Sequence, residues 1–196
     1  MYKDSKISFK TTEKKSGEYN YQEHTWDLSN QLRIDDVLEL SQFSKFEYAG
    51  KIIRENNSAG YVIDIKEKFK NESFAIYLLV IDGYVLKGGK AKNGINNRSY
   101  SAGTEENWTM RGTPSSTNYI WSQIFRQMLK DDINVEFYGY LVPSMEYTYE
   151  SFNGIMVTEN VCGHYETEEK KLNKMLKEIK GSKLIGEGGL EIKNKK

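Results

Sequence analysis

Tyr77 and Lys87 stand on either side of Asp82-Gly83, a dipeptide that closes two-residue β-hairpins. Antiparallel pairing about that turn is expected to bring the two side chains close to opposite one another. An ammonium beside a phenol favours the phenolate and equips it to take a proton from water. A core tyrosine next to a strand-end lysine would carry the same two residues, so the pair alone does not decide the chemistry. Other routes are narrow. The only cysteine is Cys162, and His24 and His164 lie far apart with no metal-ligand spacing. A multi-cysteine zinc site and a disulfide framework are therefore excluded, and neither histidine sits in a Ser-His-Asp or Cys-His motif.

The elements that must position this pair are legible in the middle of the chain. Ala75–Asp82 (A-I-Y-L-L-V-I-D) reads as a buried strand, and Tyr84–Lys87 reads as its hairpin partner, with Gly88-Gly89 expected to end it. Thr117 is a plausible N-cap for a helix to Asp131 with an apolar stripe of Ile120, Ile124, Phe125 and Met128. Ile133–Val142 alternates as a third strand, halted by Pro143. A short strand is expected at Gly154–Val157. A last helix spans Glu166–Lys180, with Leu172, Met175, Leu176 and Ile179 on one face. The expected fold class is α+β: an antiparallel three-stranded sheet flanked by helices.

Residues 1–72 read as an irregular arm, with aromatics at Tyr19, Tyr21 and Trp26 and helical spacing over Ile34–Leu40. Lys51–Ile53 and Tyr61–Ile65 are expected short strands about the turn signal Asn56-Asn57-Ser58. The expected organisation is an arm (1–72) for dimer or DNA contacts, a core domain (73–182) and a tail (183–196). Lysine plus arginine balances aspartate plus glutamate at 28 each, so bulk charge indicates no polyanion partner. Its distribution is uneven. Leu86–Gly103 contains Lys87, Lys90, Lys92 and Arg98 and no acid, which suits a phosphate site and also an ordinary solvated loop. No apolar run approaches the roughly 20 residues that cross a bilayer, and the lysine-rich beginning lacks a signal-peptide core. A soluble, cytoplasmic protein with no membrane partner is expected.

Ala75-Ile76-Tyr77 followed by Lys87-Gly88-Gly89 resembles the paired signature of the GIY-YIG nuclease superfamily. The second half carries lysine where a tyrosine is common and Gly88 where isoleucine is usual, a pattern similar to that of compact type II restriction endonucleases of the superfamily. The resemblance continues through Arg98, Tyr100 and Ser115-Ser116-Thr117-Asn118-Tyr119. It covers about 75–142 well, the last helix loosely and the first 70 residues hardly at all.

The resemblance implies a sequence-specific double-stranded DNA endonuclease that hydrolyses phosphodiester bonds with one Mg²⁺, for which Mn²⁺ is an acceptable substitute. Tyr77, assisted by Lys87, would activate water, Arg98 would bind a nonbridging phosphate oxygen, and Tyr100 would hydrogen-bond near the phosphate. A carboxylate on the last helix would hold the metal. Glu168 precedes Leu172, Met175 and Leu176 by four, seven and eight residues, so it is expected one turn ahead of the core and facing the sheet. Glu169 is the alternative, and Glu166 a third candidate. Cutting both strands of a palindrome calls for a homodimer. Lys90 and Lys92 are expected on phosphates, and Arg111 and Asn107 on base edges. Base reading is also expected from the arm and from 103–116 and 147–153.

Three alternatives remain. Glu55 with Asp64-Ile65-Lys66 could mimic the metal set of another nuclease fold. The chain could be a DNA-binding module without cleavage. It could also be a repair or mobile-element nuclease of the same superfamily, although those usually append a separate DNA-binding domain.

Overall fold

A computed structural model describes residues 6–15, 18–54, 60–70, 74–96, 116–179 and 184. Strand β6 (Ala75–Ile81) is the centre of the molecule, and all seven of its residues are buried. A strand that is apolar on both faces must be covered on both, and the architecture follows from that requirement. Asp82 and Gly83 adopt positive φ angles of 49° and 79°, as a twisted two-residue hairpin turn demands. The chain then returns as β7 (Tyr84–Ala91). On the other side of β6 lies β8 (Val135–Leu141). These are the three strands expected from the sequence.

The sheet is wider than that expectation. Among the described residues it has six strands, in the order β3 (Leu32–Arg33), β7, β6, β8, β4 (Glu47–Arg54) and β5 (Tyr61–Ile65), with every pair antiparallel. The additional strands β3, β4 and β5 all come from the stretch read as an irregular arm. The expected strands at 51–53 and 61–65 are present as the β4–β5 pair, and their turn signal lies outside the described residues. The beginning of the chain is a long antiparallel hairpin, β1 (Lys6–Lys15) with β2 (Glu18–Asp27).

Two layers cover the sheet. Helix α1 (Ile34–Leu38) and helix α3 (Tyr165–Glu178) lie on one face, where Leu172 and Leu176 pack with Ile76, Leu78, Val80 and Val85. Helix α2 (Ser116–Lys130) and the base of the β1–β2 hairpin lie on the other. There Ile7, Phe9 and Trp26 join Trp121, Ile124, Phe125, Tyr77, Leu79 and Phe137 in one core. Ile124, Phe125 and Met128 of the stripe that predicted α2 are buried, as are Leu172 and Leu176 of α3, with Met175 and Ile179 partly buried beside them. A second hairpin, β9 (Met145–Glu150) with β10 (Met156–Val161), forms its own two-stranded sheet; only its second strand was foreshadowed, at 154–157.

The Gly88-Gly89 pair does not end β7, contrary to the sequence expectation. The strand runs through both glycines to Ala91 because a layer on each side needs the backbone bare there. Among the described residues no helix is long and apolar enough to cross a membrane.

Candidate active site on the glycine-bearing strand

The simple hairpin geometry would have failed to unite Tyr77 and Lys87. A regular return from Asp82-Gly83 pairs Ile81 with Tyr84 and Val80 with Val85, as observed. Continued without interruption it would place Gly88 opposite Tyr77, and Lys87 on the other face of the sheet. The register instead shifts between Leu79 and Val80, so that Leu79 faces Lys87 and Tyr77 faces Gly89. Leu86 is the extra residue of this bulge. One inserted residue turns a strand's alternation over, and here it brings Lys87 to the face that carries Tyr77. The two are diagonal neighbours, roughly 7–8 Å apart at the backbone by ordinary sheet geometry, and not the near-opposite pair expected.

Beyond the bulge, consecutive residues of K-G-G-K serve alternate faces. A Cβ at Gly89 would stand 2.4 Å from Tyr77 Cζ and 2.5 Å from its hydroxyl, so the tyrosine ring lies across the bare backbone of that residue. Tyr77 is wholly buried, with its ring edge-on to Phe137 at 5.7 Å. Lys87 Nζ lies 5.9 Å from the centre of the Trp121 ring, within cation–π range. On the opposite face, a Cβ at Gly88 would meet Asn173 Oδ1 at 2.3 Å and Leu172 Cδ2 at 3.1 Å. The missing side chain is what lets α3 settle on the strand. Strand β3 pairs only with Tyr84 and Val85, so among the described residues β7 has no strand on its outer side from Leu86 onward.

Lys90, on the α3 face, was expected to hold phosphate. Its Nζ lies 3.1 Å from Glu169 and 3.3 Å from Glu166, and 5.5 Å from the Tyr165 ring centre. Burial would lower the lysine pKa, but the hydrogen bonds to Glu169 and Glu166 outweigh it and the pKa is raised. Glu168 is directed along its own helix to Lys171, at 2.7 Å. Both Glu168 and Glu169 are partly buried, and it is Glu169 that reaches the sheet's lysine. Lys92, just past the strand, is exposed. Arg98, Tyr100, Asn107 and Arg111 lie outside the described residues, as does Glu55. Asp64 and Lys66 belong to β5 and its continuation, at the sheet edge farthest from β7, so that alternative set is remote from Tyr77.

Two residues that the sequence reading passed over join the constellation. Trp121 is fully buried, and among the described residues neither its Nε1 nor the buried Oδ1 of Asn173 has a hydrogen-bond partner. Trp121 looks like ordinary core on an apolar helix stripe. Asn173 did carry a signal, a polar residue immediately after Leu172 and three before Leu176. No group of three His, Cys, Asp or Glu side chains is assembled among the described residues, so a site of several carboxylates is not built from them. The oxygen ligands that the first turns of α3 carry are the Glu166, Glu168 and Glu169 carboxylates, with the Asn173 amide oxygen farther along the helix. Hard oxygen ligands in small number suit Mg²⁺, which keeps most of its waters.

No family model matches this chain, and no curated protein does. Among solved structures the chain is similar to restriction endonuclease HPY188I in complex with product DNA, at 25% identity and a TM-score of 0.49. That match covers 78% of this chain and 84% of the other. It is also similar to a mutant of bacteriophage T4 EndoII, at 20% identity and a TM-score of 0.47, over 74% of this chain and 95% of the other.

Proposed function

We propose that this protein is a double-stranded DNA endonuclease of the GIY-YIG kind, a type II site-specific enzyme acting with Mg²⁺. The observation that carries the reading is the bulged, double-glycine strand. It brings Lys87 to the face of Tyr77, lets the tyrosine lie across Gly89, and seats the carboxylate-bearing helix on Gly88. These are the residues through which the sequence resembles that superfamily.

Hydrolysis of a phosphodiester needs a proton acceptor for water, charge neutralisation at phosphorus and a stabilised leaving oxygen. In this reading Tyr77 accepts the proton as water attacks phosphorus, and the bond to the 3′ oxygen breaks. Lys87 favours the phenolate, and Arg98 and Tyr100 hold the phosphate. Glu168 or its neighbour Glu169 would hold Mg²⁺, whose chemistry there is neutralisation of charge on the leaving oxygen. Lys92 would contact phosphates without choosing sequence, and Arg111 and Asn107 are the proposed readers of base edges.

Supercoiled plasmid incubated with the protein, with and without Mg²⁺, tests the activity directly. Tyr77→Phe should lower the cleavage rate by ~10²-fold or more, the ordinary contribution of a proton-transfer group, while DNA binding persists. Glu168→Gln and Glu169→Gln distinguish the two carboxylates: the one that holds metal stops cleavage and leaves DNA binding intact. A plasmid left intact by the wild-type protein in Mg²⁺ and in Mn²⁺, yet retarded in a gel, would favour the binding-module alternative.

A further inference from the structure

The bulge in β7 brings Lys87 to the Tyr77 face, but a flexible four-carbon stem does not by itself keep an ammonium in one place. The layer that covers this face contains α2. Trp121, Ile124, Phe125 and Met128 of that helix are each fully buried, the spacing of a helix face turned into a core. Trp121 shares the core of Tyr77. Its ring is fixed from two directions. Trp26 of the β1–β2 hairpin lies 5.9 Å away at 54°, and Phe125, one turn along the helix, 5.6 Å away at 37°. Half-buried Lys87 sets its Nζ 5.9 Å from the centre of the same ring.

Core filling alone does not account for a tryptophan here. Buried indole N–H groups ordinarily find an acceptor, and among the described residues the Trp121 Nε1 has none. Phenylalanine or leucine would fill an apolar stripe without leaving a donor unsatisfied. What indole adds is the strongest π face that a side chain offers to a cation. The kind of partner matters chemically. A carboxylate would hold the ammonium but offset its charge, as Glu166 and Glu169 do for Lys90 on the opposite face. An aromatic ring attracts the ammonium through its quadrupole and carries no net charge. The lysine therefore keeps its field for a neighbouring phenol.

We infer that Trp121 is a positioning residue, whose ring holds the Lys87 ammonium, still charged, on the face of the sheet that carries Tyr77. The inference rests on the roles proposed above for Tyr77 and Lys87. Trp121 touches no reacting atom in this scheme and acts through Lys87 alone. Since Trp26 braces the indole, the base of the β1–β2 hairpin is part of what fixes the lysine.

Reductive ¹³C-methylation of the full chain keeps each lysine charged and places an NMR probe on its nitrogen, and Lys87→Arg identifies the Lys87 signal by its loss. The indole should displace that signal from the position shared by solvated lysines, and Trp121→Leu should return it there. In plasmid cleavage with Mg²⁺, Trp121→Leu should lower kcat by ~2–30-fold, the worth of a cation–π contact, with KM unchanged. Trp121→Phe keeps a weaker ring and should fall between Trp121→Leu and the wild type in both readouts. Met128→Ala truncates a buried side chain two turns farther along α2. It should cost stability without moving the Lys87 signal or kcat. A wild-type Lys87 signal at the solvated position would overturn the inference even if no Trp121 variant folds. So would a kcat loss in Met128→Ala equal to that in Trp121→Leu. A plasmid left uncut by the wild type sinks the nuclease reading and not the placement of Lys87, which the NMR signal decides by itself.

Discussion

The two glycines of β7 are not equivalent, because the groups that occupy their missing side-chain space differ in how easily they yield. At Gly89 a methyl would collide with the Tyr77 ring, itself fixed against Phe137 in a fully buried position. At Gly88 its nearest contact is the end of the Asn173 side chain, which can rotate. Gly89→Ala should therefore destabilise the protein by ~1–3 kcal/mol, the ordinary cost of overpacking, and displace Tyr77. Gly88→Ala should cost less. Urea unfolding of the two variants gives the comparison, and a smaller loss for Gly89→Ala would show that Tyr77 is not held as described. Tyr77 and Lys87 were legible in the sequence as residue types about a strong turn signal. Their actual relation was not, because the bulge at Leu86 leaves no mark in composition or alternation. Glu168 and Glu169 could not be separated, since consecutive residues lie about 100° apart on a helix and periodicity cannot choose between them when the stripe is broad.

Among the elements recovered from the sequence, α2 and α3 carry one-sided periodic stripes, β6 is wholly apolar, and β8 and β5 alternate. The β1–β2 hairpin escaped because its alternation is confined to its base, where Ile7 pairs with Trp26 and Phe9 with His24. That base is held by stacked rings: His24 lies 5.0 Å from Phe9 at 17°, Phe9 meets Trp26 edge-on at 4.4 Å, and Trp26 leans on Trp121 at 5.9 Å. Burial lowers the His24 pKa, since the charged imidazolium is poorly accommodated there. A histidine whose folded pKa lies below its unfolded value contributes stability above about pH 6.5, the unfolded value, and loses it as pH falls through the folded pKa. Lowering the pH from 7 to 5 should thus weaken protection of the β1–β2 amides in hydrogen exchange. His24→Phe keeps a ring stacked on Phe9 and removes the titration, so that variant should lose less protection over the same interval. Equal losses in both proteins would assign the acid sensitivity to other groups.

The sheet binds the molecule into a single unit across residue 72. Strand β4 pairs with β8 from Glu47–Gly139 to Lys51–Glu136, and Arg54 donates a hydrogen bond to the Leu129 carbonyl at 2.6 Å. Phe69 lies against Gly139, and the Tyr61 ring stands edge-on to Phe125 at 5.9 Å. Ile52, Tyr61, Ile65 and Phe69 are buried in the same core as Tyr77, and Leu32, Val37 and Phe43 in the core beneath α3. Each such side chain contributes about 1.5–3 kcal/mol on burial, so these seven together supply ~10–20 kcal/mol, comparable with the ~5–15 kcal/mol net stability of a whole domain. A fragment comprising residues 73–196 would also leave β8 as an open edge beside an uncovered apolar face. It should therefore fail to fold although it contains Tyr77, Lys87, Arg98 and Glu168, and it should show neither cooperative thermal unfolding nor dispersed amide resonances. The full chain, melted and recorded in parallel, is the matched control. A cooperative transition in the 73–196 fragment would instead establish it as a self-sufficient domain, with the preceding strands acting as an extension of a sheet already able to stand alone.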